Sequence, residues 1–268
     1  MIDYHLHTYY SGDSSAMIEE QLNAAFDAGI EEICFTDHID FDAPGHNFVP
    51  AALDKRHAEL LKFGGGYKGV RIKEGAEISM APFKECAENS RSYIAPAELD
   101  FIIGSVHSIF GANVSDPDFY RTKSKHIAYL AYLDTIRASL PDYGFISVLG
   151  HYDFVAKYAP YHDRSMSLTL SNDINAAFAD IFKSIINMGK GIELNTAAWR
   201  GAPHWGLDIL KLYRSLGGEF ITFGSDAHLS ATVGNRLDEA YALVLEAGIP
   251  YYATFDRLVP TFHPIKKR

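Results

Sequence analysis

At 268 residues, 47% hydrophobic and 22% charged, the chain has an ordinary globular composition and enough length for one large core. A formal net charge of −10 argues against a long grip on nucleic-acid phosphates, and no apolar run approaches the roughly 18 residues of a membrane span. Two cysteines outside any Cys-x-x-Cys spacing, and no charged-then-apolar leader, lead us to expect reduced thiols, no signal peptide and a cytoplasmic location.

The opening stretch, Ile2 to Thr8, reads as a strand. Residues two apart share a strand face, so His5 and His7 are expected to aim at one spot, with Leu6 turned away. Each buried imidazole has a donor and an acceptor to satisfy, and a metal ion taking a nitrogen from each would do so. Apolar residues at helical spacing predict a helix from Ala16 to Ala28, with Ile18, Leu22, Ala25 and Phe26 on its apolar face and Gly29 closing it. Ile33 to Thr36 is a short strand ending in Asp37-His38. The Asp-, Pro- and Gly-rich segment Ile39 to Pro50 reads as a loop, placed as a lid. A helix from Leu53 to Phe63 leads through Gly64-Gly65-Gly66 to a strand, Val70 to Ala76, that ends at Glu77.

The alternation continues. Helices are predicted near Pro82 to Ala95, Ser124 to Leu140, Ser171 to Met188, Leu207 to Leu216 and Leu237 to Ala247. The strands between them are Phe101 to Val106, ending at His107; Ile146 to Gly150, ending at His151; Ile192 to Asn195; Phe220 to Ser225, ending at Asp226-Ala227-His228; and Tyr251 to Phe255. Continuously apolar strands that alternate with helices belong to a parallel sheet covered on both faces. With eight such strands and no composition break, a single-domain α/β barrel over residues 1–268 is the economical architecture. Its functional groups would gather at the carboxyl ends of the strands.

That is where the histidines fall. Six of the twelve, His5, His7, His38, His107, His151 and His228, sit at or near predicted strand ends, together with Glu77 and Asp226. A barrel mouth would gather them, and so many imidazoles and carboxylates need cations between them. Two or three divalent ions fit, and the mixed donor set suits zinc, manganese or iron over calcium or magnesium. Asp37 reads either as an orienter of a neighbouring ligand or as a turn residue. His46, His57, His126, His162, His204 and His263 lie in loops or helices and carry no such signal.

His5-Leu6-His7, Thr36-Asp37-His38, Gly75-Ala76-Glu77, Gly104-Ser105-Val106-His107, Gly150-His151-Tyr152-Asp153 and Ser225-Asp226-Ala227-His228 together resemble, in order, the motifs of the polymerase-and-histidinol-phosphatase (PHP) superfamily. Length and the early first motif look like its histidinol-phosphate phosphatase branch. The resemblance implies a distorted (β/α)7 TIM-like barrel, with Tyr251 to Phe255 outside the closed sheet, and a trinuclear metal centre. It implies that His5, His7, Glu77 and Asp226 hold one metal, that Glu77 bridges to a second held by His107 and His151, and that His38 and His228 hold a third. Asp13 stands where several relatives carry histidine, a departure that hardens the site toward iron or manganese.

No nucleophile elbow or phosphate-binding Gly-rich loop is present, so metal-assisted hydrolysis by a hydroxide held between metals is expected. Arg164 and Arg200 follow the fifth and sixth strands, on the ligand side, and are the candidates for gripping phosphate; Arg121 is a third. Asp40 and Asp42 are available to the substrate's imidazole and amine or to solvent. The expected reaction is phosphomonoester hydrolysis of L-histidinol phosphate in histidine biosynthesis (EC 3.1.3.15). A related phosphoesterase acting on another small phosphate ester, on phosphotyrosine or on nucleic-acid ends is the alternative, and an inactive metal-binding domain is a third. The substrate is thus expected to be a small molecule, with no nucleic acid and no membrane as partners.

Overall fold

In the computed structural model, which describes residues 1–43, 49–197 and 206–266, strands neighbour one another in chain order. β1 (Ile2–Leu6), β2 (Glu32–Phe35), β3 (Val70–Ser79), β4 (Phe101–Ser105), β5 (Val148–Leu149), β6 (Gly191–Asn195) and β7 (Phe220–Gly224) pair in parallel. All residues of β1, β2, β4, β6 and β7 are buried, as strands covered on both faces must be. The first and seventh strands then come side by side. Leu6 bridges Ala227 in parallel, and the His7 N–H donates to the Ala227 carbonyl at 3.0 Å. Asp3 pins the same seam by accepting from the Ser225 and Gly234 N–H groups at 2.8 and 2.9 Å. This junction is a bridge where the other neighbours have ladders, so the α/β ring is uneven, as the distorted seven-strand barrel expected from sequence would be.

All seven predicted helices form: α1 (Ile18–Asp27), α2 (Leu53–Leu60), α3 (Lys84–Ile94), α4 (Lys125–Ser139), then, after an unpredicted turn α5 (Val155–Tyr158), α6 (Asn172–Asn187), α7 (Leu207–Ser215) and α8 (Leu237–Ala247). Their apolar stripes pack on the sheet. On α1, Ile18, Leu22 and Ala25 are buried as expected. Phe26 is not; it is exposed beneath the Lys68 ammonium, because Gln21 takes the remaining inward position. Ser124 and Ser171 cap α4 and α6 by accepting from the N–H three residues on. Among the described residues no helix is long and apolar enough to cross a membrane.

Three differences from the sequence reading have physical causes. β3 runs past Ala76 to Ser79, so Glu77 lies inside a strand, because the two-residue strand His38–Ile39 pairs with it there. β5 shrinks to two residues because the Ile146 N–H is spent in a turn to the Tyr143 carbonyl. Tyr251 to Phe255 forms β8 (Tyr251–Asp256), parallel to β7 and outside the ring as expected; what differs is that it continues into an antiparallel partner, β9 (Val259–Pro264). That hairpin turns at Arg257 and Leu258, both left-handed with φ of 46° and 65°. Neither residue announces such a turn, and the prolines at 260 and 264 argue against a strand, which here is an edge.

Candidate metal centre

The mouth of the ring brings eight of the predicted groups around one carboxylate. Glu77 Oε2 lies 3.2 Å from His5 Nε2, 3.4 Å from His7 Nε2 and 3.1 Å from His38 Nδ1. Its Oε1 lies 2.8 Å from His151 Nε2 and 3.3 Å from His107 Nε2. Asp226 Oδ1 faces His5, His7 and His228 at 3.7, 3.4 and 3.5 Å. Asp13 Oδ2 joins His38 and His228 on the outside at 3.4 and 3.1 Å. Asp226 is held at φ 53°, a left-handed conformation that costs a non-glycine residue energy and that functional sites often retain. Among the described residues, four ligand trios converge: His7-His38-His228, His5-His7-Glu77, His5-His151-Asp226 and His38-Glu77-His107.

Hydrogen-bond logic settles one tautomer. Ser11 Oγ gives its single proton to Asp37 Oδ1 at 2.8 Å, so toward His7 Nδ1, 3.2 Å away, it accepts. His7 Nε2 is then a lone pair aimed at the carboxylate oxygens of Glu77 and Asp226. Oxygen and nitrogen lone pairs that face one another repel unless a cation stands between them. In keeping with this, His7 Nε2, His5 Nε2, His38 Nδ1 and both Glu77 oxygens are buried without a hydrogen-bond partner. A donor set of imidazoles and carboxylates with orphaned inward atoms fits divalent transition metals.

Around this ring a second set of groups fixes the imidazoles. Glu193, on β6, accepts from His5 Nδ1 at 2.6 Å and from the His151 N–H at 2.9 Å. Gly224 on the neighbouring strand makes room for that pair: a Cβ there would collide with the Glu193 carboxylate and His5. Asp37 accepts from the Thr8 N–H at 2.6 Å, from Ser11, and from the fully buried Arg56 at 3.0 Å. Of the two readings of Asp37, orientation of a neighbouring histidine through Ser11 is the one these contacts support. Asp40 lies 3.4 Å from His107 Nδ1 and 3.7 Å from His38 Nδ1.

The electrostatics follow. Burial disfavours a charged His7, and the His38 and His228 imidazoles add to that, so its pKa is pushed down to about 3. Burial also opposes charge on His107, but Asp40 and Glu77 outweigh it and raise the pKa to about 10. Likewise His5 is held well above the usual histidine range by Glu193, Glu77 and Asp226 against burial, and His38 by Asp40, Glu77 and Asp13. Burial would raise Glu77, yet His5, His107 and His38 hold it well below the usual carboxylate range.

A cavity of about 340 Å³ opens over the ring. Besides the ring residues it is lined by Asp40, Asp42, Asn113, Phe154, Lys157 and Tyr158. Arg164 is not brought into it: the side chain is exposed, and Nη1 donates to the Lys157 carbonyl at 3.1 Å. Arg121 likewise pairs with Asp118 at the surface. Arg200, His46 and His204 lie outside the described residues. Sequence reasoning missed Glu193 and Ser11. Glu193 was visible as an acid in an otherwise apolar strand, a signal in itself; Ser11 offered none.

The chain is similar to known proteins along nearly its whole length. The PHP domain family matches residues 3–197. The histidinol-phosphatase of Lactococcus lactis is 32% identical over 95% of this chain and 94% of its own length. A probable histidinol-phosphatase of Clostridium acetobutylicum is 31% identical over 90% of this chain and 91% of its own. Among solved structures, the L. lactis histidinol phosphate phosphatase complexed with zinc, L-histidinol and phosphate superposes with a TM-score of 0.84 at 29% identity. That match covers 97% of this chain and 98% of the other.

Proposed function

The chain belongs to the PHP domain family, and from that premise we propose that it is a metal-dependent phosphomonoesterase that hydrolyses L-histidinol phosphate to L-histidinol and inorganic phosphate. The observation that carries this reading is the set of buried, unpartnered imidazole nitrogens aimed at Glu77. His5, His7, Glu77 and Asp226 would hold one cation, Glu77, His107 and His151 a second, and Asp13, His38 and His228 a third. Zinc, manganese and iron suit these donors, and the exposed carboxylate of Asp13 biases the outermost position toward iron or manganese. Bound, such ions supply a nucleophile from water at neutral pH and stabilise charge that develops on the phosphoryl oxygens.

The protein's own part is positional. Glu193 and Ser11 hold the Nδ1 atoms of His5 and His7, so that the Nε2 lone pairs stay turned to the centre. Phe154 stacks on His151 with ring centroids 4.7 Å apart and meets His107 at 5.1 Å, closing one wall against water. Asp40 is occupied by imidazoles, which leaves Asp42 as the cavity acid for the substrate's ammonium. We take the chain to work as a single domain on a small molecule and not on nucleic acid, in keeping with its net charge of −10. Its two free, buried cysteines suit the cytoplasm.

The experiment pairs metal analysis with a substrate panel on one preparation. Chelation should abolish turnover, and manganese, zinc or iron should restore it. kcat/KM should favour L-histidinol phosphate over phosphotyrosine and nucleotides. Turnover that survives verified metal removal, or a preference for nucleotides or phosphopeptides, would overturn the reading.

A further inference from the structure

We infer that Gln21 and Ser14 are positioning residues for the metal centre: they clasp the seam where β1 meets β7 and set the spacing across it. The inference rests on the metal-centre reading above. His5 and His7 come from one side of that seam, Asp226 and His228 from the other. His5 and His7 Nε2 lie 3.7 and 3.4 Å from Asp226 Oδ1, and the His7 and His228 rings stack with centroids 4.2 Å apart. The backbone joins the two segments by a bridge and not a ladder. The His7 N–H donates to the Ala227 carbonyl at 3.0 Å, and the Ala227 N–H to that of His5 at 3.3 Å. Such a junction is slight for the ligands that depend on it.

Side chains from α1 and from the turn before it supply what the ladder lacks. Gln21 is fully buried on α1 beside Ile18, Leu22 and Ala25, where an apolar residue would pack without leaving a carboxamide to satisfy. Its Nε2 donates to the His7 carbonyl at 3.0 Å and to the Ala227 carbonyl at 3.2 Å, one proton for each side of the seam. Both neighbours are acceptors, so the nitrogen and not the oxygen must face them. Oε1 is left buried without a partner, a cost that an apolar side chain would not carry. Ser14 repeats the arrangement: its hydroxyl proton is shared between the His7 and His228 carbonyls, each 3.0 Å away. The residue before it is Asp13, which meets His228 at 3.1 Å, so the same anchor steadies that carboxylate. The clasp fixes carbonyls, and through them the chain segments whose imidazoles and carboxylates face the centre. Neither Gln21 nor Ser14 is itself a ligand.

The test compares Gln21→Met, which keeps the bulk but has no donor, with Ala25→Gly, which weakens α1 one turn on and removes no bond to the seam. Ser14→Ala and Ser14→Thr form a second pair, the latter keeping the hydroxyl. Each is measured by urea unfolding, by manganese affinity in competition with a chelating dye, and by NMR exchange of the His7 and Ala227 amide protons. Gln21→Met and Ala25→Gly should both lose stability. Only Gln21→Met should speed exchange of those two amides, about tenfold or more, and weaken part of the bound manganese by a similar factor. The cation expected at Glu77, His107 and His151 does not draw on the seam's far side and should stay. Ser14→Ala should show the same pattern on a smaller scale, and Ser14→Thr should behave as wild type. Exchange and manganese affinity unchanged in Gln21→Met, or equal losses in Ala25→Gly, overturn the inference. A wild type that binds no manganese would sink the metal centre, while amide exchange would still judge the clasp.

Discussion

The inner and outer halves of the centre are built differently. His5, His7, Glu77 and His151 are buried, come from strands or the first two residues after them, and are tied to further groups: Glu193 behind His5 and His151, Ser11 and Asp37 behind His7. Asp13, His38, His107 and His228 are more open, with the Asp13 side chain 58% exposed, and most of their partners are one another, the ring acids and Asp40. The inner half is set before any ion arrives, by strand pairing and buried hydrogen bonds. The outer half draws Asp13, His107 and His228 from segments beyond the strands, with His38 in the two-residue strand His38–Ile39, and a cation would have to complete it.

If that contrast is right, damage should scale with depth. Glu77→Gln removes the charge that five imidazoles face, and kcat/KM should fall on the order of 10³-fold or more with loss of bound metal. A loss no larger than that of Asp13→Ala would erase the contrast. Arg56→Met leaves Asp37 buried and uncompensated at the back of the inner half, and urea unfolding should show about 3–5 kcal/mol less stability. The pH dependence has a fixed sign. Burial would raise Asp37, but Arg56, His7 and the Thr8 N–H outweigh it and lower its pKa, so its contribution is full above about pH 4. That contribution is lost as pH falls through the folded value, and Arg56→Met should move the acid transition upward.

Glu193→Gln keeps the shape but not the charge behind His5; metal affinity should drop about 10- to 100-fold, read by competition with a chelating dye. Asp13→Ala should weaken the most loosely held metal by about tenfold and leave the others in place, and Asp13→His should recover it. The smallest effect is a proton count. His38 and His107 are raised and so carry protons at pH 7 without metal, and binding must displace them. Adding manganese to metal-free protein in weak buffer should acidify it, and affinity should rise with pH. No proton release would mean that the imidazoles are not ligands.

Much of this molecule was readable from local patterns. Strand-ending histidines, helix periodicity and the Gly29 stop all depend on neighbours within a few residues. So they forecast the α/β alternation and where the six imidazoles would gather. Most of the misses have the opposite property. The turn at Arg257-Leu258, where both N–H groups donate to Asp100, and the outward Phe26, under Lys68, involve contacts distant in sequence, whereas β5 was shortened by a local hydrogen bond spent in a turn. Arg164 has the right chemistry and the right side of the sheet, yet the path of α5 turns Lys157 into the cavity and Arg164 away from it.

Residue order alone determined which donors exist and that most fall at or near the ends of successive strands, since periodicity and side-chain chemistry are local properties. Only the tertiary structure decided that Glu77 stands at the centre and that Glu193 and Ser11 fix the tautomers of His5 and His7. It likewise decided that Lys157, among the described residues, lines the cavity. Those outcomes depend on distances across the ring, and these come from strand register and from the meeting of β1 with β7, which no stretch of sequence encodes by itself.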